Sequence, residues 1–340
     1  MAVGIKDLAR EAGLSVATIS KALNEYADVS EETRQRVREI ARLLNYQPNV
    51  TARGLQSRRT NMVGLVIPTM EPHLSDDPYF LDLLAGIADE AAEHEFALLL
   101  TRCAPGPKER TCYQKIVRGR RVDGLIVVRT RSQDQRVAYL LEEGFPFVTF
   151  GRTDQGLDFP FVDVDGTQGV YDATRYLIGL GHRRIGFIAA PEGLMFGFHR
   201  QEGFRKAMEE AGLAMEPGLL ARGDLTLQSG DVAMGQLLDK DPPPTAVVAC
   251  NDLMALGAMR AAQKRGLWVG RDLAVVGFDD THVAAHSRPS LTTVSQPIYD
   301  IGILLCRMLL QTLQGKPLEV RQILLRPALV IRESSGGTIS

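Results

Sequence analysis

From Val63 to Val276 short apolar runs alternate with helical patterns, and this rhythm restricts the architecture more than any other feature of the chain. The strand-like runs are residues 63–67, 96–100, 124–128, 147–150, 185–189, 246–249 and 274–276, with helix patterns at 79–93, 170–178, 204–211 and 253–264. Strands that are apolar on both faces and separated by helices build a parallel sheet covered on both sides. About ten such strands would overextend one sheet, so an α/β body of two doubly wound sheets is expected. The charged, loop-like residues 153–161 are the expected first passage between the two lobes. Residues 291–297 are the expected second, returning the chain to the first lobe.

Residues 1–46 are patterned differently. Ile5, Leu8, Ala9 and Ala12 are spaced for one apolar helix face, and Gly13 ends that helix in the left-handed conformation glycine adopts readily. Ser15 is a natural N-cap for a second helix whose buried stripe is Ile19, Ala22 and Leu23. Val16, Ala17, Thr18, Ser20, Lys21 and Asn24 then face outward on small or polar side chains. Such a helix slides into a major groove with its N-terminal residues nearest the base edges. Ser30 caps a third helix with Val37, Ile40, Ala41 and Leu44 inward. On helix count alone, a three-helix bundle with no ligand fits equally well.

Residues 47–60 join head to body. Pro48 stops the preceding helix, and Asn49 can cap a new short one through Ala52 and Leu55. Gly54 weakens that helix by about 1 kcal/mol relative to Ala, and a helix so short is marginal in water. It reads either as a switch that forms only when supported or as an ordinary linker.

Charge separates the parts. Residues 1–60 carry ten Lys/Arg against seven Asp/Glu, and the rest 29 against 34, within a chain of net charge −2. A basic head on an acidic body suggests a polyanionic partner for the head. Hydrophobic content of 45% and a mean hydropathy of −0.06 fit a soluble protein. No apolar run approaches the roughly 20 residues that span a bilayer, and no secretory signal opens the chain, so no membrane partner is expected. Cys103, Cys112, Cys250 and Cys306 are scattered, as in a cytosolic protein with reduced thiols.

The segment Ile5-Lys6-Asp7-Leu8-Ala9-Arg10-Glu11-Ala12-Gly13-Leu14-Ser15-Val16-Ala17-Thr18-Ile19-Ser20-Lys21-Ala22-Leu23-Asn24 resembles the headpiece of the LacI/GalR family of bacterial repressors. Asn45-Tyr46-Gln47-Pro48-Asn49, followed by Ala52-Arg53-Gly54-Leu55, is similar to that family's hinge helix. The resemblance implies a helix-turn-helix head over residues 1–46, a hinge over 47–60 and an effector-binding, dimerising body over 61–340. It places Val16, Ala17 and Lys21 at base-reading positions, and Ser15, Thr18, Ser20 and Asn24 at phosphate contacts. Asn49 and Leu55 complete the DNA-binding set, Leu55 as a minor-groove wedge that bends the duplex. Gly54, where larger or more helix-prone residues are common in the family, makes hinge ordering more dependent on DNA. For the body it implies a periplasmic-binding-protein type fold crossed three times, the last near Arg326-Pro327. The lobes are then about 61–160 plus 293–325, and about 161–292 plus 326–340. Ligand sits in the cleft between them, outside the carboxyl ends of the strands.

Polar and aromatic residues at those strand ends are the candidate effector contacts: Tyr79, Phe80, Arg129, Arg152, Arg200, Asn251, Asp252 and Asp279. Tyr79 and Phe80 match where the family stacks a ring on its effector, and Arg200 matches its clamping arginine. Asp279 accepting from ring hydroxyls while Arg200 donates to others suits a polyol. Asn251 and Asp252 could equally serve as helix caps, and Arg152 as half of an ion pair.

No GxGxxG follows the first strand, no P-loop is present, and no His is spaced with carboxylates or Cys as a metal site requires. No cofactor, metal or catalytic constellation is therefore expected. The sequence points to a cytoplasmic, dimeric, effector-controlled repressor that binds pseudo-palindromic operator DNA. The stretches around Arg129 and Arg152 look most like maltose and α-glucoside regulators, so a neutral sugar is the expected effector. A phosphosugar or a purine stays open on chemistry, since the same arginines would neutralise a negative charge. A solute-binding protein shares the body but would not carry the head. The C-terminal residues lack heptads, which argues against a tetramerising coiled coil.

Overall fold

The computed structural model describes residues 3–23, 26–46, 59–68 and 78–336 of the chain. It divides into two compact units, Met1–Thr60 and Asn61–Ser340. Asn24, Asn49 and Leu55, with the rest of the expected hinge up to Arg58, lie outside the described residues.

Among the described residues the head holds three helices, α1 (Ile5–Ala12), α2 (Val16–Leu23) and α3 (Glu31–Leu43). Gly13 closes α1 at φ 64°, left-handed as its position demands. Ser15 Oγ accepts the Thr18 N–H at 3.0 Å, and Ser30 Oγ the Thr33 N–H at 3.3 Å, so both hydroxyls cap the helices that follow them. Leu8, Ile19, Ala22 and Val37 are buried together at the centre.

In the second unit, the first sheet is built from β1 (Met62–Pro68), β2 (Ala97–Cys103), β3 (Gly124–Val127), β4 (Phe147–Phe150), β5 (Phe161–Val164) and β11 (Gln322–Leu325), in the order β11-β5-β4-β3-β1-β2. Every pairing in it is parallel. The second sheet is β6 (Ile185–Ala189), β7 (Leu220–Arg222), β8 (Ala246–Ala249), β9 (Ala274–Asp279), β10 (Thr292–Ser295) and β12 (Ala328–Val330), in the order β12-β10-β9-β8-β6-β7. Only β12 runs antiparallel. Both sheets thus repeat the doubly wound order 2-1-3-4-5 and gain one late strand at an edge.

Alternate residues of β1 face opposite helix layers. Val63, Leu65 and Ile67 join the core under α4 (Pro78–Glu93) and α12 (Ile298–Leu313). Val66 joins the core under α5 (Pro107–Arg118) and α6 (Gln135–Glu142). Several helix crossings are backbone-close. A Cβ on Gly86 in α4 would overlap the Tyr299 carbonyl oxygen of α12. A Cβ on Gly257 in α10 (Asp252–Lys264) would overlap the Leu227 carbonyl oxygen of α9 (Leu227–Leu238).

The first passage between lobes falls later than residues 153–161. β5 pairs with β4 through Thr149↔Phe161 and Phe150↔Val162, so Phe161–Val164 belongs to the first sheet and the chain leaves it at Asp165. Four residues with a carboxylate among them carry too little apolar pattern to stand out beside the charged loop before them. The second passage is likewise at Gln296-Pro297, because Thr292–Ser295 pairs with β9 in the second sheet. The third falls between Leu325 and Ala328.

Candidate DNA interface and ligand cleft

On α2 the buried positions are Ile19 and Ala22. Ser15, Val16, Ala17 and Lys21 are exposed, and Thr18 and Ser20 half-buried, so one face stays available for a groove. Ser15 and Thr18 hydroxyls lie 2.8 Å apart. Lys21 Nζ is 2.5 Å from Asp28 Oδ2, a solvent-exposed pair that costs little to exchange for a base or phosphate.

The carboxyl ends of both body sheets meet across a cleft with about 670 Å³ of empty space, part of it open to solvent. From the first lobe come Tyr79, Arg129, Thr130, Phe150 and Asp163. From the second come Phe196, His199 and Arg200 on α8 (Met195–Glu210), then Asn251, Phe278, Asp279 and Gln296. Tyr79 and Phe150 stack with centroids 6.2 Å apart and planes at 17°, forming one aromatic wall.

Arg200 is the centre of the opposite wall. Its guanidinium carbon lies 3.5 Å from the centroid of Phe278 and 4.9 Å from that of Phe196. Nη1 donates to the Cys250 carbonyl at 2.5 Å and Nη2 to Asp279 Oδ1 at 3.4 Å. The same Asp279 oxygen accepts from Gln296 Nε2 at 2.7 Å. Asp279 sits at φ 118° and Asp280 at φ 57°, a left-handed turn that carries the chain past the cleft. Arg332 Nη2 holds Asp280 at 2.7 Å, which anchors the turn. Two polar atoms at the cleft, Arg200 Nε and His199 Nε2, are buried with no hydrogen-bond partner among the described residues. Burial, and then the Arg152 charge, push the His199 imidazole below its usual pKa, so it is neutral near pH 7.

Arg129 lies at the rim, 8% exposed, with its guanidinium carbon 4.7 Å from the Phe80 ring centroid. Of the eight candidate contacts, Tyr79, Arg129, Arg200, Asn251 and Asp279 come together at the cleft. The other three do not line it. Phe80 is 1% exposed, buried under Arg129 and edge-on to Tyr79. Arg152 is turned to Asp163, Nε to Oδ2 2.7 Å, so only its partner lines the space. Asp252 is fully buried, accepting from Thr281 and Thr293. Tyr79 and Phe80 are consecutive in the first turn of α4, and Asn251 and Asp252 are the cap and first residue of α10; neighbours on a helix point in different directions, so one of each pair faces the cleft and the other the core. Asn251 also caps α10, its Oδ1 accepting the Met254 N–H at 3.1 Å.

Phe150, Phe196, His199 and Gln296 are cleft residues that sequence reasoning passed over. Phe196 stands four residues before Arg200 on one helix face, a spacing that could have flagged it. Gln296 follows Thr292–Ser295, a strand whose sequence alone looks like a bare crossing.

Comparison with known proteins agrees with this architecture. A profile of bacterial regulatory proteins of the lacI family matches residues 4–49, and one of a periplasmic binding protein-like domain matches residues 174–335. The HTH-type transcriptional regulator AglR of Rhizobium meliloti (strain 1021) is 36% identical over 342 residues, covering 99% of this chain and 95% of AglR. The HTH-type transcriptional repressor CytR of Escherichia coli (strain K12) is 33% identical over 334 residues, covering 98% and 96%. Among solved structures, the transcriptional regulator CelR–cellobiose complex superposes with a TM-score of 0.76 at 33% identity, covering 98% of this chain and 99% of that one. The Lac repressor dimer bound to operator and the anti-inducer ONPF gives 0.86 at 28% identity, covering 98% and 99%. Head, body and full-length likeness coincide: the chain belongs to the LacI family of bacterial transcriptional regulators.

Proposed function

We propose that this regulator is a cytoplasmic, homodimeric repressor whose grip on a pseudo-palindromic operator is released by a neutral sugar, a mono- or disaccharide glucoside, bound in the cleft. The observation that carries the choice of ligand is the set of groups lining the cleft. Arg129 and Arg200 offer fork-shaped donors and Asp279 a carboxylate acceptor, while Asp163 is held by Arg152 behind the wall. Such donors and a carboxylate acceptor set between aromatic walls suit the hydroxyls and C–H faces of a polyol. The cellobiose in the CelR complex, a neutral glucose disaccharide, supports the same class.

In this reading Tyr79 and Phe150 cover one face of the sugar ring, and Arg200 with Asp279 engages its hydroxyls. Val16, Ala17 and Lys21 read bases, with Ser15, Thr18, Ser20 and Asn24 on phosphates. Asn49 and Leu55 act in the hinge. Closure of the lobes on sugar would separate the paired hinges, and operator must weaken sugar binding by the same factor that sugar weakens operator binding. Calorimetric titration of the full chain with glucosides, sugar phosphates and purines tests the effector, alongside operator binding with each compound present. Binding of only a phosphosugar or a purine would overturn the neutral-sugar reading and leave the repressor intact.

A further inference from the structure

A second cavity, on the first lobe and outside the cleft, has no part in the function described so far. It lies between the first turns of α5 and α6 and the loop after β3, about 1130 Å³ of space open on one side. Glu109, Arg110, Tyr113, Arg131, Arg136 and Tyr139 line it. Its carboxylates are taken. Glu109 accepts two hydrogen bonds from Arg131, at 2.6 and 2.9 Å. Asp134, fully buried behind the wall, accepts from Arg136 Nε at 2.9 Å and Nη2 at 2.6 Å.

Donors are left over. Arg136 Nη1 and Tyr113 Oη are buried and have no hydrogen-bond partner among the described residues. Their residues are only 3% and 1% exposed. Nη1 keeps an ion pair with Glu109 Oε1 at 3.6 Å, too long for a hydrogen bond. Burial pushes the Tyr113 phenol up to about 12, against the pull of the Arg136 charge, so its proton stays in place as a donor. A buried donor without an acceptor is costly, and two beside one cavity point to an acceptor that the chain itself does not supply. Charge points the same way. Arg110, Arg131 and Arg136 outnumber Glu109 and Asp134, and α5 opens here at Gly106, whose cap has no side chain to satisfy the first N–H groups.

We propose that this cavity is a binding site for a small oxyanion, carboxylate or phosphate, held by Arg136 and Tyr113. Its position gives it reach. Arg136 Nη2 donates to the Arg129 carbonyl at 2.9 Å, and Arg129 itself lines the ligand cleft at φ 52°. The next residues bridge the lobes: the Thr130 carbonyl accepts the Met195 N–H at 2.9 Å, and the Ser132 N–H donates to the Gly193 carbonyl at 3.1 Å. One short loop therefore touches the anion cavity, the cleft and the inter-lobe contact. The proposal does not depend on which effector the cleft takes.

The test is calorimetric titration of the full chain with inorganic phosphate and, separately, malonate, at fixed pH and ionic strength. Saturable binding of one of them is expected and says which oxyanion the site prefers. Tyr113→Phe keeps the ring and should weaken that binding about tenfold or more, while leaving the anion-free protein at least as stable because an unpaired hydroxyl is gone. Arg110→Gln, at an exposed position, should weaken it too and guards against a folding defect in the first variant. No saturable binding of either anion, or binding unchanged in both variants, would overturn the assignment.

Discussion

Asp252 is buried where the second lobe is pinned together, and its charge should weaken the fold it organises. The carboxylate is 0% exposed and accepts from the Thr281 N–H at 2.8 Å, Thr281 Oγ1 at 3.0 Å and Thr293 Oγ1 at 2.5 Å. Burial outweighs these hydrogen bonds and raises its pKa from 3.8 to about 6. A folded-state pKa above the unfolded one means that the folded chain binds the proton more tightly. This group's stabilisation is then fully present below about pH 4 and is lost as pH rises through about 6. At 1.36 kcal/mol per pKa unit, the difference amounts to about 3 kcal/mol. Asp252→Asn keeps the shape without the charge and should remove that slope. Urea unfolding of the full chain between about pH 3.5 and 7.5 measures it, followed by the fluorescence of Trp268 in the same lobe. Wild-type stability relative to the variant should fall by about 3 kcal/mol across the window. Parallel curves for the two proteins would refute the argument, since some other group would then be titrating.

Lys21→Ala should weaken operator binding, and exchanging Val16 and Ala17 should change the preferred operator, by about 1–3 kcal/mol per lost base contact in fluorescence anisotropy titrations. Leu55→Ala should lower specific operator affinity while sparing salt-sensitive non-specific binding, and amide exchange across residues 49–57 should slow only when operator is bound. Arg200→Ala or Asp279→Ala should abolish the response to sugar with operator affinity retained, read from gel shifts at increasing glucoside. Gly86→Val should destabilise the first lobe by about 3 kcal/mol or more, seen as a lower denaturation midpoint, because backbone rather than a movable side chain blocks the new group.

Elements with strong local signals could be read directly from the chain. Central strands such as Ile185–Ala189 and Ala246–Ala249 are uniformly apolar, and their sequence limits coincide with the structural ones. Gly13 and Ser15 marked the turn between the first two helices for reasons that act within a few residues. The strands that escaped notice are short: Phe161–Val164, Leu220–Arg222, Thr292–Ser295, Gln322–Leu325 and Ala328–Val330, three or four residues each. What fixes them is pairing with a distant neighbour, which no window of sequence contains. The cleft divides in the same way. Arg200 and Asp279 carry chemistry in their own side chains and were legible, whereas Phe150 and Gln296 become cleft residues only because two sheets bring their ends together. Asp252 shows the converse, since its sequence position next to Asn251 says nothing about which way the first turn of α10 points it.

The glycine contacts inside each lobe bear on where a ligand's work goes. At Gly86 and at Gly257 the helices touch through main-chain atoms, which have no rotamers to adjust and no slack to give. A push on one helix is therefore passed to its mate nearly undiminished, as between meshed gear teeth, rather than soaked up by yielding side chains. Each lobe behaves as a stiff casting, and the compliance of the body is left to the three thin passages at Asp165, Gln296-Pro297 and Arg326-Pro327. A ligand that closed the cleft would then spend its work as rotation at those passages rather than as bending within a lobe.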